Sequence, residues 1–225
     1  MNNFDISLLE QKIGYEFKDK DLVKLALTHS SYANEMKINK YGNYERLEFL
    51  GDAVLELMSS LFFYNAYPDK NEGELTRLRS SMVCEPALAY CAREFDLQKF
   101  ILLGKGEEST KGRERDSIIS DVFEALLGAM YLDGGFSVAQ EFVLSHVMKD
   151  LENKQLFYDA KTILQERVQQ DGKTLSYELV KEEGPDHDKL FTINALIDNT
   201  VMGTGVGKSK KSAEQQAAYQ ILTKK

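Results

Sequence analysis

At 225 residues, 43% hydrophobic and 28% charged, the chain can pack one or two globular domains without disulfide or metal staples. A formal net charge of -8 argues at first against a nucleic-acid partner, because phosphate contacts need Lys and Arg. The distribution says otherwise: residues 158–225 hold ten basic and ten acidic side chains, so the acid excess lies before Tyr158, and an acidic module is joined to a neutral one.

From the start, Met1 to Lys18 carries acids and no apolar run long enough for a signal peptide. No later run approaches the roughly 18 apolar residues of a membrane span, so no membrane association and a cytoplasmic location are expected. Ile6 to Tyr15 and Leu22 to Ala33 show apolar residues at helical spacing, with Asp21 as the N-cap of the second. His29 stands alone and reads as structural.

The stretch from Tyr44 to Leu55 is the most informative. At about 100° per residue, Glu45, Glu48 and Asp52 fall within about 60° of one another, and Leu47, Leu50, Val54, Met58 and Leu61 stack opposite. One face is acid and the other is core. Phe49 at the edge of the acid face points to something that covers it, such as a second subunit. Gly51 in mid-helix costs roughly 1 kcal/mol against Ala and points to close approach by another backbone.

Tyr67 to Glu74 is rich in turn residues, and Asn71 or Gly73 opens a helix carrying Leu75, Leu78, Met82 and Val83. Glu72 there can serve simply as an acid at a helix N-terminus. Arg77 and Arg79 are suited either to phosphate or to pairing with the many acids. Glu85 to Phe95 reads as a helix in which Cys84 and Cys91, without any Cys or His pair nearby, are apolar thiols rather than zinc or disulfide residues. Gly104 to Glu108 reads as an exposed loop that lacks the spacing and Lys-Ser/Thr ending of a nucleotide loop, so no nucleotide cofactor is expected.

A second informative helix runs from Asp116 to Leu132. Asp121 and Glu124 share a stripe with Ser117, Ala125 and Gly128, while Ile119, Val122, Phe123, Leu126 and Met130 face away. Small neighbours let another helix come close, which would bring Asp121 and Glu124 toward Glu48 and Asp52. Gly134-Gly135 ends this helix, and a last one follows to about Leu151. Beyond Tyr158 the period changes to helix (Ala160 to Gln170), strand (Leu175 to Val180), strand (Leu190 to Ile197), a short strand near Val201, and helix (Ser212 to Thr223). The fold class is therefore an all-α N-terminal domain over residues 1–153, a linker over 154–158, and a small α+β domain, α-β-β-β-α, over 159–225.

Four carboxylates converging from two helices raise one another's pKa unless a cation sits among them. Oxygen-only ligands favour Mg²⁺, with Mn²⁺ as substitute, over zinc. Such ions serve hydrolysis of a phosphodiester by water. Cleavage through the ribose 2′-OH needs an acid/base pair that the scattered His29, His146 and His187 do not supply, so 5′-phosphate and 3′-hydroxyl ends are expected.

Tyr-Glu-Arg-Leu-Glu-Phe-Leu-Gly-Asp-Ala-Val-Leu, from Tyr44 to Leu55, resembles the signature helix of the ribonuclease III family, endonucleases that cut double-stranded RNA. The second module resembles the double-stranded RNA-binding domain through Lys161 to Glu166, Gly184-Pro185-Asp186-His187, Gly203-Thr204-Gly205 and Lys208 to Ala218. The resemblance implies that Glu48, Asp52, Asp121 and Glu124 hold metal, with Asp52 and Glu124 catalytic and Glu45 and Glu72 supporting; for Glu72 this stands beside the helix-terminus reading. It implies a homodimer in which Phe49 inserts into the partner, so that two acid clusters face the two strands and leave short 3′ overhangs in rRNA, mRNA and other structured precursors. Tyr44 departs from the polar residue, such as Asn, that many members carry.

For RNA contact, Thr162, Gln165, Glu166 and Gln169 form one edge of a helix suited to 2′-hydroxyls and base edges in the shallow minor groove. His187 on a loop would reach a neighbouring groove, and Lys208, Lys210 and Lys211 cluster at a helix N-terminus that favours phosphate. The alternative is a double-stranded RNA-binding regulator without cleavage, which would be expected to lack one or more of the metal acids. A hydrolase of DNA or of a small nucleotide is disfavoured by the second module, and a sugar hydrolase by the absence of Trp.

Overall fold

The computed structural model describes residues 6–39, 41–149, 151, 154, 159–185 and 189–224. The chain divides into two compact units, Met1–Lys149 and Asp150–Lys225. In the first, the described helices are α1 (Ile6–Ile13), α2 (Lys20–Ala26), α3 (Ser30–Glu35), α4 (Glu45–Ala66), α5 (Glu72–Met82), α6 (Glu85–Glu94), α7 (Lys105–Ser109), α8 (Asp116–Gly134) and α9 (Phe136–His146).

The core of this unit is built around α8, which packs on α4, α2, α6 and α9. Its Ile119, Val122, Phe123, Leu126 and Leu127 are fully buried, each such burial worth roughly 1.5–3 kcal/mol. Gly135, at φ 80, ends the helix in a backbone conformation that side chains rarely adopt. On α4, the expected apolar face is buried at Leu47, Val54 and Met58, but Leu61 is 39% exposed and Leu55, Ser59 and Phe63 are buried instead. The second half of α4 meets a different neighbour: Arg79 of α5 bonds Glu56 and Ser60 there, so one fixed stripe does not describe the whole helix.

Two further expectations are corrected. The segment from Leu22 to Ala33 is not one helix. Thr28 turns its hydroxyl back on the Lys24 carbonyl at 2.7 Å, and Leu27 to His29 pair with Leu102, whose N–H donates to Leu27 O at 2.8 Å. The N-cap of α2 is Asp19 rather than Asp21, and His29 caps α3 by accepting the Ser31 N–H on Nδ1 at 3.1 Å. The segment after Gly104 is the short helix α7 rather than a loop, because Ser31 Oγ accepts the Gly104 N–H and Glu35 accepts the Lys105 N–H at its start. As read from sequence, Asn71 opens α5, in a capping box with Glu74.

The second unit is α10 (Ala160–Gln170), β1 (Leu175–Glu183), β2 (Leu190–Ile197), β3 (Thr200–Gly207) and α11 (Lys210–Thr223), with an antiparallel sheet in the order β1-β2-β3. Strands β2 and β3 turn through Asp198 and Asn199, both at positive φ, a hairpin geometry these residues tolerate. Ala160, Leu164, Val168 and Ala218 form its core. Alternate glycines of β3 face α11 so closely that a Cβ on Gly205 would fall on the Ala213 carbonyl oxygen. The expected linker lies mostly outside the described residues.

Candidate active site and nucleic-acid interface

The acids on α4 and α8 owe their proximity to glycine. A Cβ on Gly51 would fall on the Glu124 carbonyl oxygen, and one on Gly128 on the Leu47 carbonyl oxygen, so the two helices cross in backbone contact. This is the close approach that Gly51 and the small stripe of α8 implied.

The electrostatics register the crossing. Glu124 is pushed up to about 8, by burial first and then by the charges of Asp52, Glu48, Asp121 and Glu56. Glu48 is raised to about 6 by burial, then by Asp121, Glu45 and Asp52. Burial also raises Asp121, against the opposing pull of a hydrogen bond from Tyr44 and of His29. Glu48, Asp121 and Glu124 are half-buried, while Glu45 and Asp52 are exposed at the rim. Among the described residues, no three His, Cys, Asp or Glu side chains are drawn together as a ready-made ligand shell. The four acids share a field rather than a single point.

Glu72 stands apart. It opens α5, is exposed, and accepts the Thr76 hydroxyl at 3.2 Å. Arg79 takes the acid-pairing role of the two open to it, with Nη1 2.8 Å from Glu56 Oε2 and from Ser60 Oγ.

Two residues of the site were given no role by the sequence reading. Glu56 lies four residues after Asp52, so the i, i+4 series Glu48, Asp52, Glu56 was there to be extended. Tyr44 bonds Asp121 across the crossing, and its only local sign is an aromatic residue where a short polar helix cap is usual. Phe49 is 81% exposed beside a groove lined by Leu22, Leu25, Tyr41, Leu50 and Leu132.

In the second unit, Thr162, Gln165, Glu166 and Gln169 lie on the side of α10 opposite its buried Leu164 and Val168, the first two half-buried and the others exposed. Lys208, Lys210 and Lys211 are exposed around Ser209, the N-cap of α11, whose hydroxyl accepts the Ser212 N–H at 3.1 Å. His187 lies outside the described residues. Neighbouring Lys161 is held by Glu214 at 2.5 Å and sits 5.1 Å over the Tyr177 ring.

Residues 19–151 match the family model described as Ribonuclease-III-like, and residues 160–225 match the double-stranded RNA binding motif. Fold and site thus define a nuclease-type helical domain carried in one chain with a double-stranded RNA-binding domain. Ribonuclease 3 of Caldanaerobacter subterraneus subsp. tengcongensis is 50% identical over 224 residues, covering 97% of each chain. Ribonuclease 3 of Clostridium perfringens is 46% identical over 226 residues, 99% of this chain and 94% of the other. A solved nuclease domain of ribonuclease III from Campylobacter jejuni, described for flexibility in a region involved in dimer formation, is 42% identical at a TM-score of 0.61, covering 65% of this chain and 98% of that one. The chain belongs to the ribonuclease III family.

Proposed function

We propose that the chain is an endoribonuclease that hydrolyses both strands of double-stranded RNA, structured precursors of rRNA and mRNA among them, in the cytoplasm. The supporting observation is the backbone contact of α4 and α8 at Gly51 and Gly128, which sets Glu48 and Asp52 in the field of Asp121 and Glu124. Acids that oppose one another's ionisation, and that offer oxygen alone, fit a hard divalent cation, Mg²⁺ or Mn²⁺ in its place. Glu48, Asp52, Asp121 and Glu124 would hold it, with Asp52 and Glu124 as the catalytic pair and Glu45 and Glu72 in support. Such a cation activates water and neutralises charge developing on the scissile phosphate.

The protein's own part is placement. Carboxylates carried on two helices in backbone contact are held with little freedom, which keeps them aimed while the duplex docks. Water adds to phosphorus, the bond to the 3′ oxygen breaks, and that oxygen leaves as a hydroxyl, so the products carry 5′-phosphate and 3′-hydroxyl ends. Phe49, exposed beside an apolar groove, suits insertion into the second copy of a homodimer, whose two sites would then cut the two strands with short 3′ overhangs. The domain limits that accompany this reading are 1–153 and 159–225, joined by 154–158. The edge of α10 with Thr162, Gln165, Glu166 and Gln169, together with His187, would read the minor groove, and Lys208, Lys210 and Lys211 the phosphates.

The test is incubation of the full chain with a labelled RNA duplex and its DNA counterpart in Mg²⁺ or Ca²⁺. Cutting of RNA alone, dependent on Mg²⁺, is expected. Glu124→Gln should abolish cutting and leave duplex binding nearly intact; cutting that survives this change removes the metal argument. Binding without cutting in either metal would replace the reading with that of an RNA-binding regulator.

A further inference from the structure

Tyr44 occupies the N-cap of α4, where a short polar side chain ordinarily closes the first turn, yet its side chain makes no capping hydrogen bond. Asn43 assists there instead, its Oδ1 accepting the Glu45 N–H at 3.2 Å. The side chain of Tyr44 is used elsewhere. Its ring is 5% exposed and packs against His29 with centroids 5.6 Å apart. His29 is itself fixed as the cap of α3, and the Tyr44 N–H donates to the Thr28 carbonyl at 2.9 Å. From this clamped ring the phenol hydroxyl crosses to α8 and donates to Asp121 Oδ2 at 3.2 Å.

We infer that Tyr44 is a positioning residue for the cation site, its hydroxyl holding the Asp121 carboxylate in one orientation from the start of α4. The inference rests on the reading of the four acids as cation ligands. An acid held by a buried donor does not have to be ordered when the cation arrives, and partners of this kind typically carry 10–100-fold of metal affinity. Asp121 is only half-buried and the bond is long, which places the effect near the lower end, about tenfold.

The variant is Tyr44→Phe in the full chain, which keeps the ring and its contact with His29 and removes only the hydroxyl. Three quantities are measured: Mn²⁺ binding without RNA, by electron paramagnetic resonance; RNA duplex affinity in Ca²⁺; and cleavage as a function of Mg²⁺. The expected result is an Mn²⁺ dissociation constant raised about tenfold, unchanged duplex affinity, and cleavage restored by high Mg²⁺. Mn²⁺ affinity within about twofold of the parent, far short of the loss such partners carry, overturns the inference and leaves the acids' role standing. If instead Glu124→Gln leaves the parent's Mn²⁺ binding unchanged, the reading of the acids fails and the inference with it. Should Tyr44→Phe not fold, 3-fluorotyrosine at position 44 decides: a ¹⁹F signal that Mg²⁺ shifts supports the inference, and one it leaves unmoved overturns it.

Discussion

Asp133, in the last turn of α8, accepts the Tyr15 hydroxyl at 2.6 Å and the N–H groups of Lys18 and Asp19, each at 2.9 Å. Burial works against its charge, but these donors outweigh it and hold the carboxyl below its ordinary value. Tyr15 is pushed up to about 12, by burial and then by Asp133. Because the folded-state value of Asp133 lies below the unfolded value of about 3.9, its stabilisation is full above that value and is lost as pH falls through the folded one. Asp133→Asn should therefore cost about 1–2 kcal/mol at neutral pH. Thermal melts of both proteins across pH check this: the gap in Tm should close below about pH 3.9. A gap that ignores pH would show that shape, not charge, is what the site uses.

At the scale of elements, the crossing of α4 and α8 depends on what is absent. Gly51→Ala places a methyl group on the Glu124 carbonyl oxygen, backbone that has no rotamer to give. The helices must separate, at a cost at or above the roughly 3 kcal/mol end of overpacking, and the acids of the two helices separate with them. A Tm lowered by several degrees, cleavage lost, and duplex binding through the second unit retained are the expected results. Normal cleavage would mean that the acids do not depend on this contact. The mid-helix glycine and the stripe of small residues on α8 were legible in sequence because each lies within a few turns of one helix. The division of α2 from α3 was not: it depends on Thr28 and His29 pairing with Leu102, more than seventy residues away. Likewise α7 formed where a loop was expected, because Ser31 and Glu35 bond the chain at its first turn.

Across the whole molecule, charge is divided by task. The net -8 lies wholly before Tyr158, and the stretch from Tyr158 onward is balanced. A balanced domain attracts an anionic duplex only through local clusters, so Lys210 and Lys211 at the start of α11 should carry a measurable share. Replacing both by Ala should weaken duplex binding and lower the slope of log affinity against log salt by about two. Binding titrations at several salt concentrations test this, and an unchanged slope would place the phosphate contacts elsewhere. Family, fold class and the acids of α4 and α8 could be read from residue order, because helical period, capping chemistry and motif spacing act within a few residues. What required the folded chain was the choice among partners distant in sequence. Arg79 pairs with Glu56, and Tyr44 reaches Asp121 over 77 positions. A side chain's local pattern states which bonds it can make, and only the distance between packed elements selects the one it does make.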